Sequence, residues 1–134
     1  MLEHLALDDF HVALKNTYSY LESGGVFRFV LPDLEQLART YLDDQDSEAA
    51  LRFMQDTNLG TKHRVRGLRG LVVQSLGNSA HLWLWDEKSM AKKLAEHGFK
   101  NLRRASFGDA EDPRFNDVED KGRFEGCLAM QCRK

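Results

Sequence analysis

The chain has 134 residues, 42 % hydrophobic and 30 % charged, with a formal net charge of −2. This balance excludes a disordered tail and a globally basic nucleic-acid binder, and leaves one domain over residues 1–134 with its own core. No run approaches the ~20 apolar residues that span a bilayer, and no basic region precedes the first apolar residues as in a secretory leader. The expectation is a cytoplasmic protein without membrane or nucleic-acid partners. Cys127 and Cys132 are spaced CxxxxC with no other thiol in the chain, which reads as reduced core or edge thiols rather than a zinc knuckle or redox pair.

In chain order, Met1-Leu2-Glu3-His4-Leu5 has the character of a junction where a buried strand hands over to a helix. Phe10, Leu14, Tyr18 and Leu21 then recur at helical spacing over residues 8–22, with Asp8 or Asp9 as cap and Gly24-Gly25 as stop. Residues 26–31 are apolar except for Arg28 and predict a strand buried on both faces, closed by Pro32. Asp33 caps a second helix, with Gln36 completing a capping box and Leu34, Leu37, Ala38, Tyr41 and Leu42 as its buried face. Ser47 caps a third, with Ala50, Phe53 and Met54 on one face. Residues 62–70 are basic and glycine-punctuated, and residues 71–76 fit helix or strand. Asp86 caps the helix holding Met90, Leu94 and His97, and Gly98 ends it. Residues 99–107 predict a half-exposed strand, 108–121 a polar surface loop, and 124–131 a last apolar strand.

Four of these segments together resemble the C-terminal half of class I S-adenosylmethionine-dependent methyltransferases of the type 11 small-molecule kind. They are Leu2-Glu3-His4-Leu5, the helix-to-strand passage Leu21-Glu22-Ser23-Gly24-Gly25-Val26-Phe27-Arg28 with Pro32-Asp33-Leu34, the segment His81-Leu82-Trp83-Leu84-Trp85-Asp86, and the tail from Phe124. The resemblance implies an α/β fold, a partial Rossmann-like methyltransferase domain. Its mixed three-stranded remnant would hold strands five, seven and six, the last strand inserting antiparallel between the other two under covering helices. The family's glycine-rich turn and ribose-binding acidic residue have no counterpart here. The resemblance therefore implies an N-terminally truncated methyltransferase, inactive alone. S-adenosylmethionine is its family cofactor, with none bound by this chain by itself, and a small-molecule acceptor is its substrate if active. The alternative is a non-enzymatic protein-interaction module or partner subunit. An apolar strand edge left open recruits another strand, so a homo-oligomer, or a protein supplying that edge, is the expected partner.

The candidate site residues follow the same division. Glu3 and His4 would face the cofactor in a completed domain, His4 also being able to act as a base near neutral pH. Pro32 and Asp33 follow the C-terminal end of a strand, where α/β proteins place ligands. Arg64, within the run Lys62, His63, Arg64, Arg66 and Arg69, offers a guanidinium to an anionic substrate. His81, Trp83 and Trp85 alternate, sharing one face of an extended segment on the substrate side. Each has a plain structural alternative: a helix cap for Asp33, a solvated face for the basic run, core packing for the tryptophans. No metal site is expected, since the histidines and carboxylates are not ligand-spaced in sequence.

Overall fold

In a computed structural model of the chain, residues 1–60 and 80–134 are described. The basic run at 62–70 and the helix-or-strand segment 71–76 lie outside the described residues. The described elements are a 3-10 turn (Leu2–His4), α1 (Leu7–Tyr20), β1 (Val26–Pro32), α2 (Leu34–Asp43), α3 (Ala49–Asp56), α4 (Glu87–Glu96), β2 (Lys100–Arg104) and β3 (Cys127–Arg133). Two further 3-10 turns, Pro113–Asp117 and Lys121–Arg123, interrupt the passage into β3, where sequence alone predicts only loop.

The three strands form one open sheet in the order β1-β3-β2. β3 is antiparallel to both neighbours, so among the described residues every strand-to-strand ladder is antiparallel, and a lone parallel bridge joins Asp33 to Trp85. This corrects the partial Rossmann-like methyltransferase fold, because that family's sheet is parallel, whereas among the described residues the open β1-β3-β2 sheet has only antiparallel ladders. The resemblance to class I methyltransferases falls with it, and so does the reading of a half-domain of that family, although the last strand does lie antiparallel between the other two as expected.

Alternation sets what each face of the sheet carries. Phe27, Phe29 and Leu31 lie opposite Cys132, Met130 and Leu128, and all six belong to or pack against one apolar cluster. α1 contributes Phe10 and Leu14 to that cluster, and α4 contributes Met90 and Leu94, all four fully buried. Each such side chain is worth roughly 1.5–3 kcal/mol over leaving it exposed. Both helices thus cover the same face. Tyr18 packs edge-on against Phe99, with ring centroids 5.2 Å apart, and Gly98 turns the chain into β2 at φ +92°.

Local chemistry explains most boundaries. α1 carries no side-chain cap, because Ala6 is its N-cap; Asp8 and Asp9 sit within the first turn, where they favour the helix's positive end. Asp33 does cap α2, its carboxylate accepting from Glu35 N–H at 3.0 Å and Gln36 N–H at 3.4 Å, without the return bond from Gln36 that a capping box needs. α3 is led by Asp46, not Ser47, which accepts from the Glu48 amide at 2.9 Å. α4 opens with a full capping box between Asp86 and Ser89. The expected apolar face of α2 is buried only in part: Leu34, Leu37 and Ala38 are half-buried, Tyr41 meets Phe53 of α3 with 5.4 Å between centroids, and Leu42 stays 71 % exposed. β2 is shorter than the 99–107 expectation, and its register shifts between Lys100 and Arg103, where Asn101 takes φ +51°.

Candidate functional site

The second face of the sheet is polar, and its organising residue is the single charge of β1. Arg28 has a side chain only 2 % exposed. Its guanidinium donates to Asp109 at 2.8 Å, to Glu119, to the Ser106 carbonyl at 2.8 Å and to Gln131 Oε1 at 3.2 Å. Arg103 of β2 joins from the other side, reaching Asp109 Oδ2 at 2.5 Å and the same Gln131 oxygen at 3.2 Å. Phe124 lies under the Arg28 guanidinium at 5.6 Å. Burial opposes the charge on Arg28, but the bonds to Glu119 and Asp109 outweigh it and raise its pKa. Burial likewise pushes the Asp109 carboxyl up, and the guanidiniums of Arg103 and Arg28 bring it down to about 2. The polar 106–124 segment is therefore pinned onto the sheet by charge.

Beside this network a groove of about 460 Å³ runs along β1, lined by Phe29, Val30, Leu31 and Pro32 on one side and by Phe115, Val118 and Phe124 on the other. The backbone decides what β1 offers there. Lys134 N–H donates to Gly25 O at 3.0 Å, and Gly24 N–H to Lys134 O at 3.2 Å, which fixes the bonded pairs at alternate positions: Phe27, Phe29 and Leu31 bond to β3. The N–H and C=O groups of Val26, Arg28 and Val30 then point away from β3, and no backbone partner meets them among the described residues.

At the chain start, the Leu2–His4 turn packs on β1 and meets residues 80–83. The Glu3 carbonyl accepts from Leu82 N–H at 2.7 Å and Trp83 N–H at 3.2 Å. His4 Nδ1 lies 3.1 Å from Ala80 O, and His81 Nδ1 lies 2.8 Å from Thr57 O. The two imidazoles meet edge-to-face, 4.9 Å between centroids. Burial pushes the Glu3 carboxyl up, while the Met1 ammonium 2.6 Å away and then His4 draw it below the ordinary range. Ligand atoms of Glu3, His4 and His81 lie within 4.8 Å of one another.

The remaining candidates separate. Asp33 is 3 % exposed, caps α2 and pairs with Arg104 at 2.7 Å, so its carboxylate is fully engaged. Pro32 ends β1 and lines the groove. Trp85 is core, stacked on Phe10 at 4.4 Å, whereas Trp83 remains 43 % exposed; the three alternating residues do not form one pocket wall. Arg64 lies outside the described residues. The Arg28 network was visible in sequence only as one charge inside an apolar strand. The meeting of His4 with His81 had no local signal.

No family model matches the chain, and no curated protein or solved structure matches it either. With an antiparallel sheet and no matching methyltransferase family, the truncated methyltransferase reading is withdrawn. Its activity, its enzyme status and its S-adenosylmethionine cofactor go with it. The passage from β1 to α2 runs through Pro32 and Asp33, not through the glycine-rich turn that cradles a nucleotide cofactor. Among the described residues, no helix is long and apolar enough to cross a membrane.

Proposed function

We propose that this chain is a non-enzymatic protein-interaction module that works through the edge of β1 that no strand covers among the described residues, and through the groove beside it. Its occupant is β1 of a second copy, laid antiparallel to extend the sheet across a two-fold axis. The supporting observation is the row of backbone N–H and C=O groups at Val26, Arg28 and Val30 that face away from β3. Such a row binds a further strand through main-chain hydrogen bonds, and apolar grooves beside it supply selectivity. An edge paired with its own copy is self-complementary, as a two-fold interface requires. Arg28, tied down on the neighbouring face, keeps its charge out of the incoming strand's path.

Sedimentation equilibrium across the micromolar range tests this with two variants. The unmodified chain is expected to dimerise; Val30→Pro, which removes an edge donor without touching the β3 ladder, and Val30→Lys, which places a charge in the groove, are both expected to be monomeric. A chain that stays monomeric throughout, or a dimer indifferent to both changes, overturns the proposal. The free thiols Cys127 and Cys132 support a reducing compartment, and we place the protein in the cytoplasm; cell fractionation that recovers it elsewhere overturns that placement.

A further inference from the structure

Glu3, His4 and His81 have the chemistry of a metal centre, and the carbonyls that hold the two imidazoles strengthen that reading. A backbone carbonyl only accepts, so the bonds from His4 Nδ1 to Ala80 O and from His81 Nδ1 to Thr57 O place the proton of each neutral ring on Nδ1. That leaves Nε2 of each ring as the unprotonated nitrogen, and on His4 it faces the Glu3 carboxylate. Metal-ligating histidines are held in this way, one nitrogen anchored on a carbonyl or carboxylate and the other presented to the ion. His4 Nε2 lies 3.5 Å from Glu3 Oε1, long for a hydrogen bond. It is near the roughly 3.3 Å separating two donors on a tetrahedral ion with bonds of about 2.05 Å. The Met1 ammonium takes the other oxygen, Oε2, leaving Oε1 on the histidine side. The frame is firm where it matters, because the Glu3 carbonyl receives two amides from residues 82 and 83. The side chains remain accessible, 12 % exposed for Glu3 and 22 % for His4.

We propose that Glu3, His4 and His81 bind one divalent transition-metal ion, zinc(II) by ligand type, with the fourth position left to water. Two neutral imidazoles and one carboxylate suit a borderline cation and discriminate against calcium and magnesium, which demand more oxygen donors. The ion clips the Leu2–His4 turn to the segment entering α4.

The full-length chain, stripped with a chelator, is titrated with zinc(II) against a chromophoric competitor and separately with cobalt(II). One equivalent is expected, with the intense visible absorption of four-coordinate cobalt. His4→Gln and His81→Gln each remove a ligand and are expected to weaken zinc binding by more than the ~100-fold that losing even an outer-shell partner can cost. His11 and His97, whose ring nitrogens approach to 3.3 Å elsewhere on the surface, are the competing pair, so His97→Gln is expected to leave binding unchanged. Should a variant fail to fold, nitrogen NMR of the unmodified chain decides: zinc must shift Nε2 of His4 and His81 while both keep their Nδ1 proton. Absence of binding at equimolar metal, binding that survives both substitutions, binding lost in His97→Gln, or zinc shifts at other histidines overturns the site.

Discussion

The two faces of the sheet are built from the same three strands by opposite means. On one face Phe27, Phe29 and Leu31 join Leu128, Met130 and Cys132 beneath α1 and α4. On the other, Arg28, Gln131 and Arg103 are closed over by Asp109 and Glu119 from the 106–124 segment. The apolar face is held by non-directional burial, which tolerates changes of partner so long as volume is kept. The polar face is held by directed, charge-assisted bonds that are strong only when every member is present. A helix cover and a loop cover therefore fail differently, and substitutions on each face separate them.

The largest effect is expected on the apolar side. Leu128 is fully buried at the centre of β3, so Leu128→Ala leaves a cavity under both helices and should cost about 4 kcal/mol of unfolding free energy. Arg28→Ala should cost about 3 kcal/mol, the low end for breaking a buried pair, since the adjoining groove lets water reach Glu119. Urea unfolding measures both. The distinction lies in coupling: combined with Glu119→Gln the Arg28→Ala cost should shrink, because the carboxylate it strands is gone, whereas the Leu128→Ala cost should be unaltered. If the two losses respond alike to Glu119→Gln, the faces are not independent.

Protonation sharpens the contrast. The Asp109 pKa is depressed from 3.8 to about 2. A group depressed in the folded state contributes stability that is complete above its unfolded pKa and is lost as pH falls through the folded value. The Asp109 contribution should thus be whole above about pH 4 and decline toward about pH 2. Glu119, lowered mainly by its bond from Arg28, changes in the same direction. The urea midpoint followed from pH 5 downward should fall less steeply in Asp109→Asn than in the unmodified chain, and an identical slope would remove Asp109 from the account.

What the sequence disclosed divides along the same line. The 3.6-residue spacing of Phe10 and Leu14, the Asp33 and Asp86 caps and the apolar run of β1 are local signals, each read within a few residues, and all are present in the fold, although β1 is half-buried except at Leu31 and not enclosed on both faces as expected. The methyltransferase resemblance drew on the same local signals, and strand pairing, which decides the fold, is not among them: antiparallel ladders fix the sheet through residues about a hundred positions apart, such as Val26 with Arg133. The candidate sites suffered similarly. Arg28 finds Glu119 across 91 residues, and His4 finds Ala80 across 76. Glu3, His4 and His81 were each singled out, yet spacing alone gave no reason to join them. α2 shows the converse failure, where amphipathic spacing was genuine but its apolar face is only partly buried, with Tyr41 and Leu42 left exposed.

The smallest effect concerns the two thiols, which sit on opposite faces of one strand. Cys132 is on the apolar face, fully enclosed, and burial pushes its pKa up to about 12. Cys127 is on the groove side and half-buried, its pKa also raised, first by burial and then by the nearby carboxylates of Asp33 and Glu3. The thiolate is the reactive form, so both should react slowly with a disulfide reagent near pH 8, in an order set by access: Cys127 first, in the native protein, and Cys132 only as the sheet opens. Denaturant should accelerate Cys132 far more than Cys127. Arg28→Ala, which loosens the loop cover alone, should quicken Cys127 disproportionately. Leu128→Ala should quicken Cys132 instead, because it loosens the face on which that thiol is packed. Equal acceleration of both thiols by either substitution would mean that the two covers open as one unit, and the difference between the faces would then be chemical but not mechanical.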